Sequence, residues 1–180
     1  MERVREAGGD RVLVLDLEAE SGRPIYVHAK VCTIDDVWMI IGSDNLNRRS
    51  WTNDSELSCA VVDGERDGRE PADPAGLGDG ARCLPRETRL RLWCEHLGRD
   101  AHDVGDLLDP SDGTEVLRST ALALDAWHDG GRRGERPAGR VRVHQPEPVP
   151  RWARAWARPV YRALVDPDGR SFGQRRADRY

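Results

Sequence analysis

The stretch IYVHAKVCTIDDVWMIIGSDNLNRRSWTNDSELSCAVVD, residues 25–63, decides the fold. Short runs rich in β-branched and apolar residues alternate here with turn signals, a pattern typical of strands joined by tight turns. Asp35-Asp36 supplies the turn of a β-hairpin, and the polar segment that begins at Gly42 predicts a loop over 42–53. With one strand ahead of this stretch, the predicted strands are residues 12–17, 25–34, 37–41 and 57–62.

Helical patterning follows the strands. Residues 63–81 are rich in Gly, Pro, Asp and Glu and predict an exposed linker. Apolar residues then recur at helical spacing over 85–98, which ends on the stop signal Gly98, and again over 114–127. Residues 130–150 are rich in Arg, Gly and Pro and predict irregular chain.

Length and composition limit the class of protein. With 180 residues, of which 38% are hydrophobic and 33% charged, the chain has room for one ordinary domain and a tail. We expect a mixed α/β domain at 1–130, with a β-sheet flanked by helices, and an irregular Arg/Pro/Trp-rich tail at 131–180. The net charge of −4 argues against a nucleic-acid partner. No apolar run approaches the ~20 residues of a membrane span, which predicts a protein that is cytoplasmic or peripheral to the inner face of the membrane.

The cysteines and most histidines lack the spacing of a metal or redox site. No two cysteines form a C-x-x-C pair, and apolar neighbours predict buried free thiols in a reducing compartment. The histidines outside the hairpin have no matching acid or ligand spacing and are expected at the surface or at an interface. These residues are Cys32, Cys59, Cys83 and Cys94, and His96, His102, His128 and His144.

The motif that carries chemistry has the pattern H-x-K-x4-D-x6-G-S-x-N, formed by His28, Lys30, Asp35, Gly42, Ser43 and Asn45. Gly42 is expected to permit a tight approach at the loop. Alternate side chains of a strand share a face, so His28 and Lys30 are expected to project together. An imidazole can attack phosphorus or protonate a leaving oxygen, while an ammonium holds the anionic oxygens. Ser43 and Asn45, on the returning loop, can donate further hydrogen bonds to the same phosphate.

Two further observations support a phosphate site. Lys30 is the only lysine among 28 basic residues, which indicates a role that arginine cannot fill. A histidine that becomes charged or phosphorylated also needs a carboxylate to orient its other ring nitrogen. Glu56, at the start of the next predicted strand, is the best candidate for that carboxylate.

This stretch resembles the second catalytic motif of the phospholipase D superfamily. In that family a histidine-lysine-aspartate signature is followed by a G-S-x-N phosphate loop, an N-x-R-S segment and a D-S-E tripeptide. Here the last two are Asn47, Arg48 or Arg49, Ser50, and residues 54–56. The later segment RLRLWCEHLG is similar to the helix that follows in eukaryote-like phospholipases D.

The resemblance implies catalytic residues His28, Lys30, Asp35 and Glu56, and phosphate ligands Lys30, Ser43 and Asn45. Within these, the place of Asp35 in the turn favours a structural role, holding the hairpin, over direct chemistry. The family works through a covalent phosphohistidine: one histidine attacks phosphorus and a second protonates the departing alcohol. No metal and no other cofactor is implied, and the role of His28 depends on the partner motif.

A working site in this superfamily uses two copies of the motif, and this chain has one, close to its N-terminus. The resemblance therefore implies a C-terminal half-domain that is incomplete at its N-terminus. Its partner would be a second motif-bearing half, from the same full-length chain or from another subunit. The substrate class it implies is a phospholipid, cleaved at its headgroup.

Three alternatives stay open. One is phosphatidyl transfer of the cardiolipin synthase type, although those enzymes usually carry N-x-E where this chain has Asp54-Ser55-Glu56. A nuclease is a second, against which the acidic pI argues. The third is a non-catalytic truncated fragment that only binds phosphate or a partner half.

Two aromatic features lie outside the motif proper. The segment RWARAWARPVYRALV, residues 151–165, spaces Trp152 and Trp156 at i, i+4 among arginines, the pattern of a peripheral membrane helix, interrupted by Pro159. The alternative is that its aromatic side docks onto the protein core. Trp51 either touches an acyl chain or headgroup or packs beneath the loop.

Overall fold

The computed structural model describes residues 2–146 and 148–177 and has the mixed α/β class that the sequence predicts. Its strands are β1 Leu15–Glu18, β2 Pro24–Ile25, β3 Val31–Ile34, β4 Trp38–Gly42, β5 Ser58–Val62 and β6 Val141–Val143. Its α-helices are α1 Glu2–Gly8, α2 Arg48–Thr52, α3 Cys83–Leu97, α4 Pro110–Asp129, α5 Arg151–Val160 and α6 Phe172–Arg176. A π-helical turn, Tyr161–Val165, follows α5.

The chain forms two compact units that interleave along the sequence. The first unit consists of Met1–His28, Thr33–Met39 and Val62–Gln145. The second consists of Ala29–Cys32, Ile40–Val61 and Pro146–Tyr180. The predicted division into a domain at 1–130 and a tail at 131–180 stays a prediction.

The core of the first unit lies between α3, α4 and a three-stranded sheet of order β2-β1-β6. The sheet is antiparallel, with Leu17 opposite both Ile25 and Val141. The apolar stripes predicted for the two helices face this core, which confirms both helices. The buried core residues are Leu90, Cys94, Leu97, Leu107, Leu117, Ala121 and Val141.

Capping residues set the end of α3 and the start of α4. Gly98 adopts the left-handed conformation, with φ of 67°, and closes α3 as the sequence predicts. Helix α4 begins four residues before its predicted start at 114. There the Asp109 side chain accepts a hydrogen bond from the Ser111 N–H at 2.7 Å, and Pro110 occupies the first turn.

Strand β6 corrects the prediction that residues 130–150 are irregular. It pairs with β1, and Asp125 of α4 accepts hydrogen bonds from Arg142 Nε at 2.7 Å and from the Val143 N–H at 3.1 Å. A three-residue strand is too short to show alternation in sequence, and here the carboxylate of α4 fixes its position.

The surface prediction is wrong for His128, whose side chain is only 8% exposed. Its Nε2 lies 3.0 Å from the carboxylate of Glu18, which also accepts a hydrogen bond from Arg136 at 3.0 Å. Burial acts to raise the pKa of Glu18, but the hydrogen bonds from His128 and Arg136 lower it overall. The His128 side chain can be buried because the carboxylate of Glu18 is its hydrogen-bond partner.

All four cysteines are free thiols, as predicted, but their predicted burial holds only for Cys94. Cys83 is half-buried, while Cys32 and Cys59 are exposed on β3 and β5. These two strands are the edges of the second sheet, whose order is β3-β4-β5. Successive side chains of a strand point to opposite faces of the sheet, so apolar residues next to a cysteine in the sequence do not cover it.

The predicted hairpin between β3 and β4 is confirmed, and its turn is unusual. The Val37 N–H donates to the Ile34 carbonyl at 2.8 Å, and both central residues, Asp35 and Asp36, have φ of 55°. Two successive left-handed residues define a type I′ turn, which matches the twist of the flanking strands. Aspartate tolerates this conformation better than most side chains, although less well than glycine.

Asp36 ties this turn to helix α3. Its carboxylate is almost fully buried and accepts hydrogen bonds from Arg89 Nε at 2.6 Å and from Arg86 Nε at 3.2 Å. The Asp35 side chain, by contrast, is exposed. The expected role of holding the hairpin therefore falls to Asp36, the residue after the signature aspartate.

Arg86 also orders the segment predicted as an exposed linker, and Arg89 orders the segment before α4. Arg86 donates to the carbonyl of Arg69 at 2.7 Å, and Arg89 donates to the carbonyl of Leu107 at 2.7 Å. Within 63–81, Asp67 and Ala81 are buried. Buried guanidinium groups need hydrogen-bond acceptors, and backbone carbonyls of these segments supply them. The polar composition of the linker did not reveal this.

Replacing Asp36 with Asn should lower the free energy of unfolding by about 3–5 kcal/mol, because it removes the carboxylate that pairs with buried Arg89 and leaves buried Arg86 with Asp67 at 3.6 Å. Asp35→Asn is the matched control, since Asn also tolerates positive φ and Asp35 is exposed. Its effect should stay within about 0.5 kcal/mol. Chemical denaturation measures both variants, and equal losses of stability would contradict this role of Asp36.

Candidate active site

The motif histidine and lysine lie outside any strand. Strand β2 ends at Ile25 and β3 begins at Val31, so the predicted strand over 25–34 is interrupted between them. His28 is exposed and belongs to the first unit, whereas Lys30 is half-buried and belongs to the second. Strand alternation therefore does not place them on one face. Chain connectivity still limits their Cα separation to about 7 Å.

An aromatic neighbour of His28 was missed from the sequence. The rings of Tyr26 and His28 have centroids 5.9 Å apart and are tilted by 35°. Tyr26 is 86% exposed, so its hydroxyl is open to solvent beside the imidazole. Their i, i+2 spacing in the sequence was the available signal.

Gly42 opens the G-S-x-N loop of the second unit. Its N–H donates to the carbonyl of Lys30 at 3.0 Å, which joins the lysine backbone to the loop. A Cβ at position 42 would lie 2.9 Å from Ser58 Cα and nearer still to the Ser58 side chain. Only glycine permits this approach, which confirms the close packing predicted for the motif glycine.

Ser43 and Glu56 form the polar centre of the loop. The Ser43 hydroxyl donates to Glu56 Oε2 at 2.5 Å, and Ser43 Oγ accepts a hydrogen bond from the Leu57 N–H at 3.0 Å. The bond from Ser43 is the largest cause that lowers the pKa of Glu56, and the positive charge of Lys30 acts in the same direction. Glu56 is therefore an ionised acceptor in this loop.

This pairing differs from the expected roles of the two residues. From the sequence, Ser43 is expected to donate a hydrogen bond to phosphate and Glu56 to orient an imidazole. A hydroxyl has one O–H donor, and Ser43 gives that donor to Glu56. To donate to a phosphate instead, the Ser43 hydroxyl must rotate away from Glu56.

Asn45 is exposed, and its backbone carbonyl accepts a hydrogen bond from Trp51 Nε1 at 2.9 Å. Trp51 lies on α2, a helical turn in the segment predicted as loop. The Asn47 side chain caps this turn by accepting from the Ser50 N–H at 2.8 Å. Because Trp51 is 59% exposed, its ring is not packed beneath the loop, and its indole N–H braces the backbone of Asn45.

The two arginines of the N-x-R-S segment have different partners. Arg49 Nε bonds to Asp54 at 2.7 Å. Arg48 lies 3.6 Å from the carboxylate of Asp166 and donates to the carbonyl of Arg162 at 3.2 Å. The contact between Arg48 and the C-terminal segment had no signal in the sequence. Among residues 2–146 and 148–177, no group of three or more His, Cys, Asp or Glu side chains is placed to hold a metal ion.

Comparison with known proteins shows which family the chain resembles. The family model described as "Phospholipase D" matches residues 15–132. The chain is 38% identical over 103 residues to phospholipase D zeta 1 of Arabidopsis thaliana, covering 54% of this chain and 9% of that protein. It is 40% identical over 108 residues to phospholipase D alpha 1 of Spuriopimpinella brachycarpa, covering 58% of this chain and 12% of that protein.

A third relative is phospholipase D B of Dictyostelium discoideum, 33% identical over 112 residues, which cover 58% of this chain and 8% of that protein. The chain thus corresponds to about a tenth of the length of these relatives. No solved structure gives a significant match.

Replacing Ser43 with Ala should raise the pKa of Glu56 toward its ordinary value of 4.5, because the substitution removes the donor that most stabilises the carboxylate. Side-chain carboxyl NMR measures this as a pH titration. Ser55→Ala, which removes an exposed hydroxyl from the same segment, is the control and should leave the titration unchanged. A Glu56 titration that Ser43→Ala does not move would show that this hydrogen bond is absent in solution.

Proposed function

The chain belongs to the phospholipase D family, and on that premise we propose that it supplies one half of a phosphodiesterase site that cleaves phospholipid headgroups. The observation that carries the proposal is the motif H-x-K-x4-D-x6-G-S-x-N, which lies wholly within the matched residues 15–132. Eukaryotic relatives that bear the name phospholipase D match 54% and 58% of the chain.

The proposed reaction has two balanced steps. An imidazole nitrogen attacks phosphorus, the bond from phosphorus to the headgroup oxygen breaks, and a second histidine gives its proton to the departing alcohol. A water molecule then loses a proton to that second histidine and attacks the phosphohistidine. Phosphatidate leaves, and both histidines return to their starting states. An alcohol in place of water gives transfer instead of hydrolysis.

The residues of this chain have defined roles in the proposal. His28 is one of the two histidines, and its role as nucleophile or acid is set by the partner motif. Lys30 holds the anionic oxygens of the phosphate, and Asn45, whose backbone is braced by Trp51, donates from its amide. Ser43 joins them when its hydroxyl turns from Glu56 to the phosphate.

Glu56 and Asp35 complete the proposed set. The lowered pKa of Glu56 keeps it ionised, the state required of a carboxylate that orients an imidazolium. Asp35 stays in the set as the signature aspartate. Its backbone, with φ of 55° in the hairpin turn, supports a role in the turn conformation over one in proton transfer.

The second half of the site must come from another motif copy. The chain carries one copy and corresponds to 8–12% of the relatives it matches, so we assign the missing histidine to another part of a longer chain or to another subunit. The first check is the coding sequence upstream, in the same reading frame. A second H-x-K-x4-D there supports one longer chain, and its absence supports assembly between subunits or a remnant.

The alternatives make different products. A transferase of the cardiolipin synthase type passes the phosphatidyl group to the hydroxyl of a second lipid, whereas the proposed hydrolase passes it to water. A nuclease releases nucleotides and leaves phospholipid intact. A non-catalytic fragment binds phosphate or a partner half without turnover. Lipid products of the assembled two-motif enzyme, separated by chromatography, distinguish the hydrolase from the transferase. Nucleotide release from a nucleic-acid substrate separates a nuclease from a non-catalytic fragment.

In the assembled enzyme, His28→Ala or Lys30→Ala should each lower kcat for headgroup release by at least about 10³-fold, because each removes a contact made in the transition state. Lys30→Arg should also lower the rate, since a planar guanidinium does not reproduce a compact ammonium. Headgroup release from phosphatidylcholine is the assay.

The control is His102→Ala, which removes an exposed histidine far along the sequence and should retain the full rate. If His28→Ala or Lys30→Ala keeps near-normal turnover, the motif is not the source of the activity.

A further inference from the structure

A cationic groove lies in the second unit, between α2 and the segment that follows Pro146. It is open to solvent and has a volume of about 620 Å³. Trp51 and Tyr161 provide aromatic surface in it. Its charged lining consists of four arginines and one aspartate, hence +3, in a chain whose net charge is −4: Arg48, Arg158, Arg162, Arg170 and Asp166.

The C-terminal segment is held to α2 by specific contacts. Asp166 accepts hydrogen bonds from the Arg49 N–H at 2.7 Å and pairs with Arg48. The Gly169 N–H donates to Thr52 Oγ1 at 2.8 Å. The carboxylate of Asp166 thus neutralises Arg48, whereas Arg158 and Arg162 have no carboxylate partner among the described side chains. Arg170, the fourth arginine of the lining, pairs with Asp168 at 2.8 Å, so the exposed Arg158 and Arg162 carry the excess charge of the groove.

Helix α5 presents an apolar face beside this groove. Trp152, Trp156 and Val160 follow one another at i, i+4 and i+8, so they lie on one side of the helix. Their exposed fractions are 71%, 59% and 46%, and Leu164 in the following turn is 75% exposed. Both tryptophan rings are therefore exposed in the described part of the chain, which argues against the alternative that they dock onto the protein core.

The tryptophans and the arginines lie on different sides of the helix. Arg158 is two residues from Trp156, about 200° around the helix axis, and Arg162 follows Arg158 by four residues on the same side. Tryptophans on one side and arginines on the other are typical of helices that lie in the plane of a bilayer surface. Arginine can then reach lipid phosphates while its aliphatic stem stays against apolar surface.

We propose that α5 and the adjacent groove form a docking element for the surface of an anionic bilayer. Trp152, Trp156 and Val160 lie at the boundary of the acyl chains, and Arg158 and Arg162 bind lipid phosphate groups. The helix rests on the bilayer and does not cross it: within the part of the chain that is described, no helix is long and apolar enough to span a membrane.

A bilayer fits these observations better than other partners. A nucleic acid would satisfy the arginines but leave the apolar face of Trp152, Trp156 and Val160 in water. A soluble phosphate compound would fill the groove and likewise leave that face uncovered. A bilayer surface covers both at once, because it offers anionic phosphates directly above an apolar layer.

Vesicle co-sedimentation of the full 180-residue chain tests this proposal. The vesicles contain phosphatidylcholine with 30% phosphatidylglycerol, or phosphatidylcholine alone. We expect binding to the anionic vesicles that weakens as salt rises. Trp152→Ala with Trp156→Ala should weaken this binding at least about tenfold. Arg158→Gln with Arg162→Gln should do the same, and its effect should disappear on neutral vesicles.

The matched control is Leu77→Ala with Arg133→Gln, which removes an exposed apolar side chain and an exposed arginine from the first unit. It should bind like the unmodified chain. Because every substituted residue is exposed, circular dichroism of each variant should match the parent.

Three results would overturn the proposal. One is no sedimentation with anionic vesicles, and another is binding that both variant pairs leave unchanged. The third is complete displacement by millimolar inorganic phosphate at constant ionic strength, which would make the groove a site for a soluble anion. The assay involves no turnover, so failure here leaves the proposed hydrolase intact, and loss of hydrolase activity leaves this proposal intact.

Discussion

A buried carboxylate between two buried guanidinium groups is the constraint on which the first unit depends. Asp36 meets Arg86 and Arg89 at the tip of the hairpin, and the same arginines reach the backbone of the linker and of the segment before α4. Buried ion pairs of this kind are costly to desolvate, so their value lies in specifying one arrangement as much as in stability. Here the arrangement fixes one end of the hairpin whose other end carries the motif.

The sequence predicted the elements that depend on local signals. Apolar stripes and Gly98 defined α3, and the hairpin followed from Asp35-Asp36 between two apolar runs. What it could not predict depends on distant partners. Strand β6 is fixed by a carboxylate of α4, and the burial of Asp36 requires arginines 50 and 53 residues away. The short helix α2 follows from an asparagine cap inside a segment that is otherwise typical of a loop.

For the candidate site, the spacing of the motif predicted a set of residues but not the contacts that they make. The motif glycine has the close packing expected of it, and Ser43 and Glu56 do lie together. Their hydrogen bond to one another was not foreseen, because spacing in the sequence does not show which nearby acceptor a hydroxyl meets. The C-terminal segment lies beyond the family match, which ends at residue 132, yet it contacts α2 directly after the G-S-x-N loop.

The central claim is that His28 and Lys30 act on one phosphate group. The most direct measurement is ¹⁵N NMR of the histidine side chains in the full chain during titration with glycerol 3-phosphate. The account predicts saturable shifts of the His28 ring nitrogens that are lost in Lys30→Ala, while His102 stays unchanged. If His28 does not respond while phosphate binds elsewhere, or responds equally without Lys30, the two residues do not form a common phosphate site.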